Sequence, residues 1–364
     1  MNIGVITDFL ETIAPISYQE SYDNSGLLTG EKYTEATGAI FTLDVTEAVV
    51  DEAIALGFNL IIAHHPLIFK PLKRINGLND AGRCLIKAVK NDIAIYAAHT
   101  NLDNAPEGVN AMIGKKMGMV RTKILDPASD TLKKNIVFVP TRHVEKVRNE
   151  MFNAGAGRLG DYSLCSYNTE GKGTFMAGNN ARPYVGQPAE LHVEEETRIE
   201  VLCENHNLNR VLNAMIQSHP YEEVAYDVYP LSNKNKYVGA GMIGELPEPM
   251  DEMSFLHMVK NTFGPGCLKY SPLINKQIKK VAVCGGSGNF LISNALAAGA
   301  DAFVTGEIKY HDYFMAEDKI LLIEAGHYET EQFTKELLHQ VVKEKFTTFA
   351  TRISRIPTNP VNYL

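Results

Sequence analysis

Two adjacent histidines, His64 and His65, close the apolar run Asn59-Leu60-Ile61-Ile62-Ala63 and are followed at once by Pro66. Neighbours along a strand point to opposite faces, but just past its end, braced by proline, both imidazoles can turn into one cavity and ligate metal. Taken singly, each is as readily a structural or surface histidine. A second apolar run, Ile93-Ala94-Ile95-Tyr96-Ala97-Ala98, ends in His99-Thr100-Asn101-Leu102-Asp103-Asn104. There Asp103 is either a metal ligand or the start of a turn that caps a helix beginning near Gly108. The third feature is Gly326-His327-Tyr328-Glu329-Thr330-Glu331. Its His327 and Glu331 stand four apart and share one face of a helix's first turn, while Glu329 points elsewhere.

Three imidazoles and two carboxylates exceed what one four-coordinate ion needs if it must also keep a water. They suit two ions that share a bridging carboxylate and a hydroxide. Nitrogen and oxygen donors without thiolate fit zinc, manganese or iron and do not choose among them. His99, Glu307 and His311 are candidates for orienting the ligands or moving a proton. Each has a plainer alternative: His311, after Tyr310, as a surface or capping residue, and Glu307, beside Gly306, as a stabiliser of a helix start. Asp23 and Asn24 before Gly26 read first as a turn. The run Gly285-Gly286-Ser287-Gly288 resembles a phosphate-cradling loop but lacks either nucleotide fingerprint, so it reads first as a tight strand-to-helix turn, with contact to a substrate phosphate as the alternative. Gly155 to Gly160, with Arg158, reads as a loop.

These residues need a scaffold that brings distant segments together. Helical spacing at residues 7–14 and 46–56, the latter followed by Gly57, alternates with short apolar strands at 39–43, 59–63 and 93–98. The texture returns at 280–284, 302–305 and 320–323, and a long helix runs from the Gly326-His327 turn to about 344. Continuous apolar strands separated by helices require a sheet buried on both faces, so the class is α/β with a parallel or mixed sheet flanked by helices. Polar residues collect where the strands stop, the edge at which such sheets bind ligands. Between these halves the order becomes strand, helix, strand, strand, helix, strand, the ferredoxin-like arrangement of a small α+β domain. The expected organisation is a core built from residues 1–126 and 241–364, with residues 127–240 inserted.

The 364 residues carry 35 Lys+Arg against 43 Asp+Glu, a formal net charge of -8. That balance, without a basic run, argues against nucleic acid as the partner. Five scattered cysteines form no Cys-x-x-Cys pair, so neither a thiolate zinc site nor a disulfide scaffold is indicated, and a reducing cytoplasm fits. No apolar stretch is long enough to span a bilayer, and the acidic amino terminus does not read as a signal peptide.

The segments Asp23-Asn24-Ser25-Gly26-Leu27-Leu28, Ala63-His64-His65-Pro66, His99 to Asp103, Thr305-Gly306-Glu307 with His311, and Gly326-His327 with Thr330-Glu331 together resemble the NGG-interacting-factor-three-like family. Its members are often described as type-two GTP cyclohydrolase homologues. The resemblance covers both outer segments in order. It implies that His64, His65, Asp103, His327 and Glu331 ligate two divalent ions per chain, with Glu331 as the bridge. It also implies a homohexameric ring whose metal sites face an internal cavity. The middle segment, with His219-Pro220-Tyr221-Glu222-Glu223, resembles the PII-like or CutA-like domain of longer bacterial members. The expected function is a dinuclear metal hydrolase, which in the cyclohydrolase reading opens the imidazole ring of GTP and releases formate. The ligand set alone does not distinguish a purine carbon from a phosphoester or an amide. The alternative is a metal-binding or ligand-sensing scaffold with a regulatory insert and no turnover.

Overall fold

In the computed structural model, which describes residues 1–364, the short apolar runs become strands covered on both faces. The first segment supplies β1 (Gly26–Thr29), β2 (Ala39–Thr42), β3 (Leu60–Ala63), β4 (Ala94–Ala97) and β5 (Val120–Ala128). The middle supplies β6 (Leu132–Pro140), β7 (Ser166–Met176), β8 (Leu191–Glu204) and β9 (Tyr226–Pro230). The last supplies β10 (Asn235–Asp251), β11 (Lys269–Tyr270), β12 (Gln277–Cys284), β13 (Ala302–Thr305), β14 (Leu321–Glu324) and β15 (Thr351–Ile353). The chain divides into two compact units, Met1–Pro127 with Lys236–Leu364, and Ala128–Asn235.

The first unit holds two sheets where the strand pattern suggested one. The five-stranded sheet, in the order β1-β4-β3-β2-β15, is parallel except for β1. The six-stranded sheet, β11-β14-β13-β12-β10-β5, has parallel β12, β13 and β14 flanked by antiparallel β11 and β10. Leu60 and Ile62 of β3 face one large cluster that Val281, Val283 and Val304 enter from the other sheet. Ile61 and Ala63 face a separate cluster with Val49, Val50 and Ala53 of the helix Glu47–Leu56 and with Cys84 and Ala88 of Asp80–Lys90. Both parities of each strand are therefore apolar, and each fully buried Ile or Leu contributes roughly 1.5–3 kcal/mol.

Local signals fix the helix ends. Thr46 caps Glu47–Leu56, accepting the Val49 N–H, and Gly57 closes it in the left-handed conformation at φ 69°. The first helix spans Ile3–Ile13 and so begins earlier than its spacing suggested, because the Asn2 side chain caps it. The long final helix is two, His327–Glu331 and Thr334–Lys345. In the six-stranded sheet Gly244 lies against Thr122 and Gly241 against Leu125, so β5 and β10 run antiparallel. Their ends near residues 128 and 235 therefore lie together.

The second unit follows the strand, helix, strand, strand, helix, strand order, with an antiparallel sheet β7-β8-β6-β9. Its helices Val144–Asn153 and Leu208–Ser218 pack Val147, Met151, Val211 and Met215 on Val137, Val139, Ile199 and Val201. No helix of the chain is long and apolar enough to cross a membrane.

Candidate metal centre

Parallel strands of both sheets end at one place. His64 and His65 follow β3, His99 follows β4, Gly285 and Gly286 follow β12, and His327 and Glu331 occupy the short helix after β14. Four imidazoles are oriented alike. The Nδ1–H donates outward in each: from His64 to the Ala98 carbonyl at 2.8 Å, from His65 to Asp44 at 2.7 Å, from His99 to Asp23 at 2.7 Å, and from His327 to Glu307 at 2.8 Å. Such outer acceptors fix the tautomer and leave Nε2 as the ligating atom, as in metal-binding histidines generally. The Nε2 atoms of His65 and His327 lie 2.9 and 3.1 Å from Glu331 Oε2. His64 Nε2 lies 3.7 Å from both Glu331 Oε1 and Asp103 Oδ1.

His64 Nε2 and Asp103 Oδ1 are buried and have no hydrogen-bond partner. A buried acceptor left unmatched costs about 1–3 kcal/mol, and a cation between the two would satisfy both. Potential donor atoms fall into three groups, all within 4.8 Å of one another in each: His64, Asp103 and Glu331; His65, His327 and Glu331; His64, His65 and His99. Glu331 belongs to both of the first two groups. These residues fit a metal.

Charges follow the same contacts. Burial opposes charge on His65, yet its hydrogen bonds to Asp44 and Glu331 prevail and raise it to about 10. Burial is likewise outweighed at His327, which Glu331 and Glu307 raise to about 9. Burial pushes His64 down and Asp103 well up. Glu331 is buried too, but the imidazoles of His327, His64 and His65 hold it well below the usual carboxylate range. The site without metal thus holds protons where a cation would sit.

Of the expected residues, His64, His65, Asp103, His327 and Glu331 come together, and His99 joins them through its ring, 5.3 and 5.4 Å between centroids from His64 and His65. Glu307 opens no helix; it is exposed and reaches the cluster by accepting from His327. His311 is not brought in: it is exposed, its ring stacked on Phe314 and edge-on to Tyr310. The turn expected at Asp23 and Asn24 lies one step earlier, closed by the Asp23 N–H on the Glu20 carbonyl, and the Asp23 carboxylate accepts from Asn24 and Ser25 and anchors His99 and Thr100. The glycine run is a tight turn, since the N–H groups of Gly285, Gly286 and Gly288 donate to Asn110, Thr330 and Thr305. At Gly286, φ 59°, a Cβ would collide with Glu331 Oε1, so glycine there makes room for the shared carboxylate.

Sequence reasoning missed Asp44, held in turn by the Thr358 hydroxyl at 2.7 Å. Its signal was present: Asp44 follows the end of β2, the strand beside β3, in the same position logic as the histidines.

Known proteins share this architecture. The model of the Duf34/NIF3 (NGG1p interacting factor 3) family matches residues 1–360. A protein of Halalkalibacterium halodurans named GTP cyclohydrolase 1 type 2 homolog is 39% identical over 370 residues, covering 100% of this chain and 99% of its own. One of Bacillus subtilis, with the same name, is 39% identical over 372 residues, covering 99% and 98%. The crystal structure of a Bacillus cereus protein related to NIF3 is 38% identical, with a TM-score of 0.85 over 100% of this chain and 99% of that one.

Proposed function

The chain belongs to the Duf34/NIF3 family, with relatives named GTP cyclohydrolase 1 type 2 homolog, and we propose that it is a metal-dependent hydrolase that opens the imidazole ring of a purine nucleotide such as GTP with release of formate. The observation that carries the reading is the convergence of inward-facing imidazole nitrogens on Glu331, beside the unmatched His64 Nε2 and Asp103 Oδ1. His64, His65, Asp103, His327 and Glu331 would hold two divalent ions, zinc, manganese or iron. Such ions acidify a bound water and polarise the group it attacks. The protein's own part is orientation: Asp44, Asp23, Glu307 and the Ala98 carbonyl hold the rings. His99, anchored by Asp23 and with Nε2 free of that bond, is placed to accept or return a proton. In this reading the chain works as a hexameric ring in the cytoplasm, and residues 128–235 form a ferredoxin-like unit of the PII or CutA type.

The test is formate release from GTP, with a panel of phosphoesters alongside, by protein loaded in turn with zinc, manganese and iron(II). Turnover that falls at least a hundredfold in His64→Ala and Glu331→Ala supports the proposal. No turnover with any bound metal rejects it and favours the second reading, a ligand-sensing scaffold, for which the separate unit with its own cavity speaks.

A further inference from the structure

Away from the metal centre, the second unit carries a cavity of about 740 Å³, within the range of small-molecule sites. It opens on the sheet face opposite the helices. Phe138 and Arg198 are register partners there, as are Gly171 and Glu196, while the alternate residues Val137, Val139 and Ile199 enter the core under the helices.

Its walls are aromatic. Phe138, Phe175, Tyr184 and Tyr221 line it, with ring centroids 6.0 Å apart for Phe175 and Tyr221 and 6.3 Å for Tyr184 and Tyr221. Aromatic faces present negative potential and attract cations. Glu196 lies among them, accepting a hydrogen bond from the Tyr221 hydroxyl at 3.0 Å. Glu170, Glu222 and Glu223 also line the cavity, against Lys172 and Arg198, with the Arg142 guanidinium 5.2 Å from the Tyr184 ring centroid. Arg198 pairs with Glu200 at 3.1 Å, a carboxylate that Lys134 shares at 2.9 Å, so the four lining carboxylates Glu170, Glu196, Glu222 and Glu223 still outnumber the lining cations Lys172 and Arg198.

The glycines point the same way. Gly173 leaves room for the Glu196 carboxylate, which a Cβ would strike. Gly171, in the interior of β7, has an ordinary φ, and a Cβ there would meet nothing within 4 Å. Neither packing nor backbone conformation requires glycine at 171, and glycine inside a strand often marks close approach of a ligand.

We propose that this cavity binds a small organic cation, an amine or amidine on an apolar body, independently of the metal centre. The test is calorimetric titration of the full-length protein with benzamidine, agmatine and choline, beside neutral benzyl alcohol and anionic AMP and inorganic phosphate. At least one cation is expected to bind at least about tenfold more tightly than the neutral and anionic probes, the order of a single cation–π or charge-assisted contact. Glu196→Gln keeps an acceptor for Tyr221 but removes the charge, and should weaken that binding about tenfold. Gly171→Leu fills open space and should abolish it. Metal content and melting temperature of both variants should match the parent, which separates this test from that of the hydrolase. Absence of millimolar or tighter binding by all three cations, preference for AMP or phosphate, or cation binding that both variants leave unchanged would overturn the proposal.

Discussion

Loading the metal-free protein with a divalent ion should release protons in a number that the hydrogen bonds set. At about pH 7.5, His65, held to about 10 by Asp44 and Glu331 against the effect of burial, keeps its Nε2 proton. His327, held to about 9 by Glu331 and Glu307 against burial, does the same. Both must lose that proton to ligate. Asp103, raised by burial, adds a third where it is still protonated, while His64, lowered by burial, adds none. The slope of the logarithm of overall affinity against pH equals the number of protons released. Affinity should therefore climb about a hundredfold to a thousandfold per unit between roughly pH 6.5 and 8.5. The sign is set by competition: the proton's hold weakens as pH rises, so the gain levels off only above about 9 and then 10. Calorimetric titration of chelator-treated protein with Mn²⁺, in two buffers of different ionisation enthalpy, counts the protons directly. Two or three per chain are expected. None, with affinity flat across that range, would show the imidazoles to be neutral before metal arrives and would refute this account of the site.

The same shifts govern stability: the contribution of His65 is complete below the ordinary imidazole value near 6.5 and is lost as pH rises through about 10. Thermal melts of the metal-free chain should accordingly fall over that window, and those of the loaded chain should fall less. Asp44→Asn weakens the acceptor that orients His65, and should reduce metal affinity about 10- to 100-fold while the fold is kept, as read by titration and circular dichroism. Gly286→Ala drives a methyl into Glu331 Oε1 at a residue with φ 59°; metal content per chain by elemental analysis should drop, whereas Gly57→Ala, with nothing within 4 Å, should leave it intact. Replacing residues 129–234 by a short linker joins strand ends that already lie together, so a cooperative melt and unchanged metal content are expected.

The gathering of the candidate site was legible wherever a residue's place follows from one strand or one helical turn. His64 and His65 past β3, Asp103 past β4, and the pair His327 and Glu331 need only local rules, and the chain brings them together. Two of the supporting acceptors were not legible, because Asp23 reaches His99 across 76 residues and Asp44 is recognisable only once β2 is known to lie beside β3. Glu307 and His311 show the limit of spacing: both follow β13, yet only Glu307 meets the cluster. Apolar runs announce that both faces of a strand are covered but not by what, so the second sheet stayed hidden. The 17 residues of β10 were obscured by Gly239, Gly241 and Gly244, and by Pro247 and Pro249 in the stretch where its pairing with β12 shifts register.

The central claim is that these five side chains hold metal. Anomalous diffraction collected at the zinc, iron and manganese edges, on crystals of protein purified without added metal, tests it most directly. The expected result is anomalous density bounded by His64, His65, Asp103, His327 and Glu331, with Glu331 touching both ions. Density elsewhere, or none after full reconstitution with each metal, would contradict it.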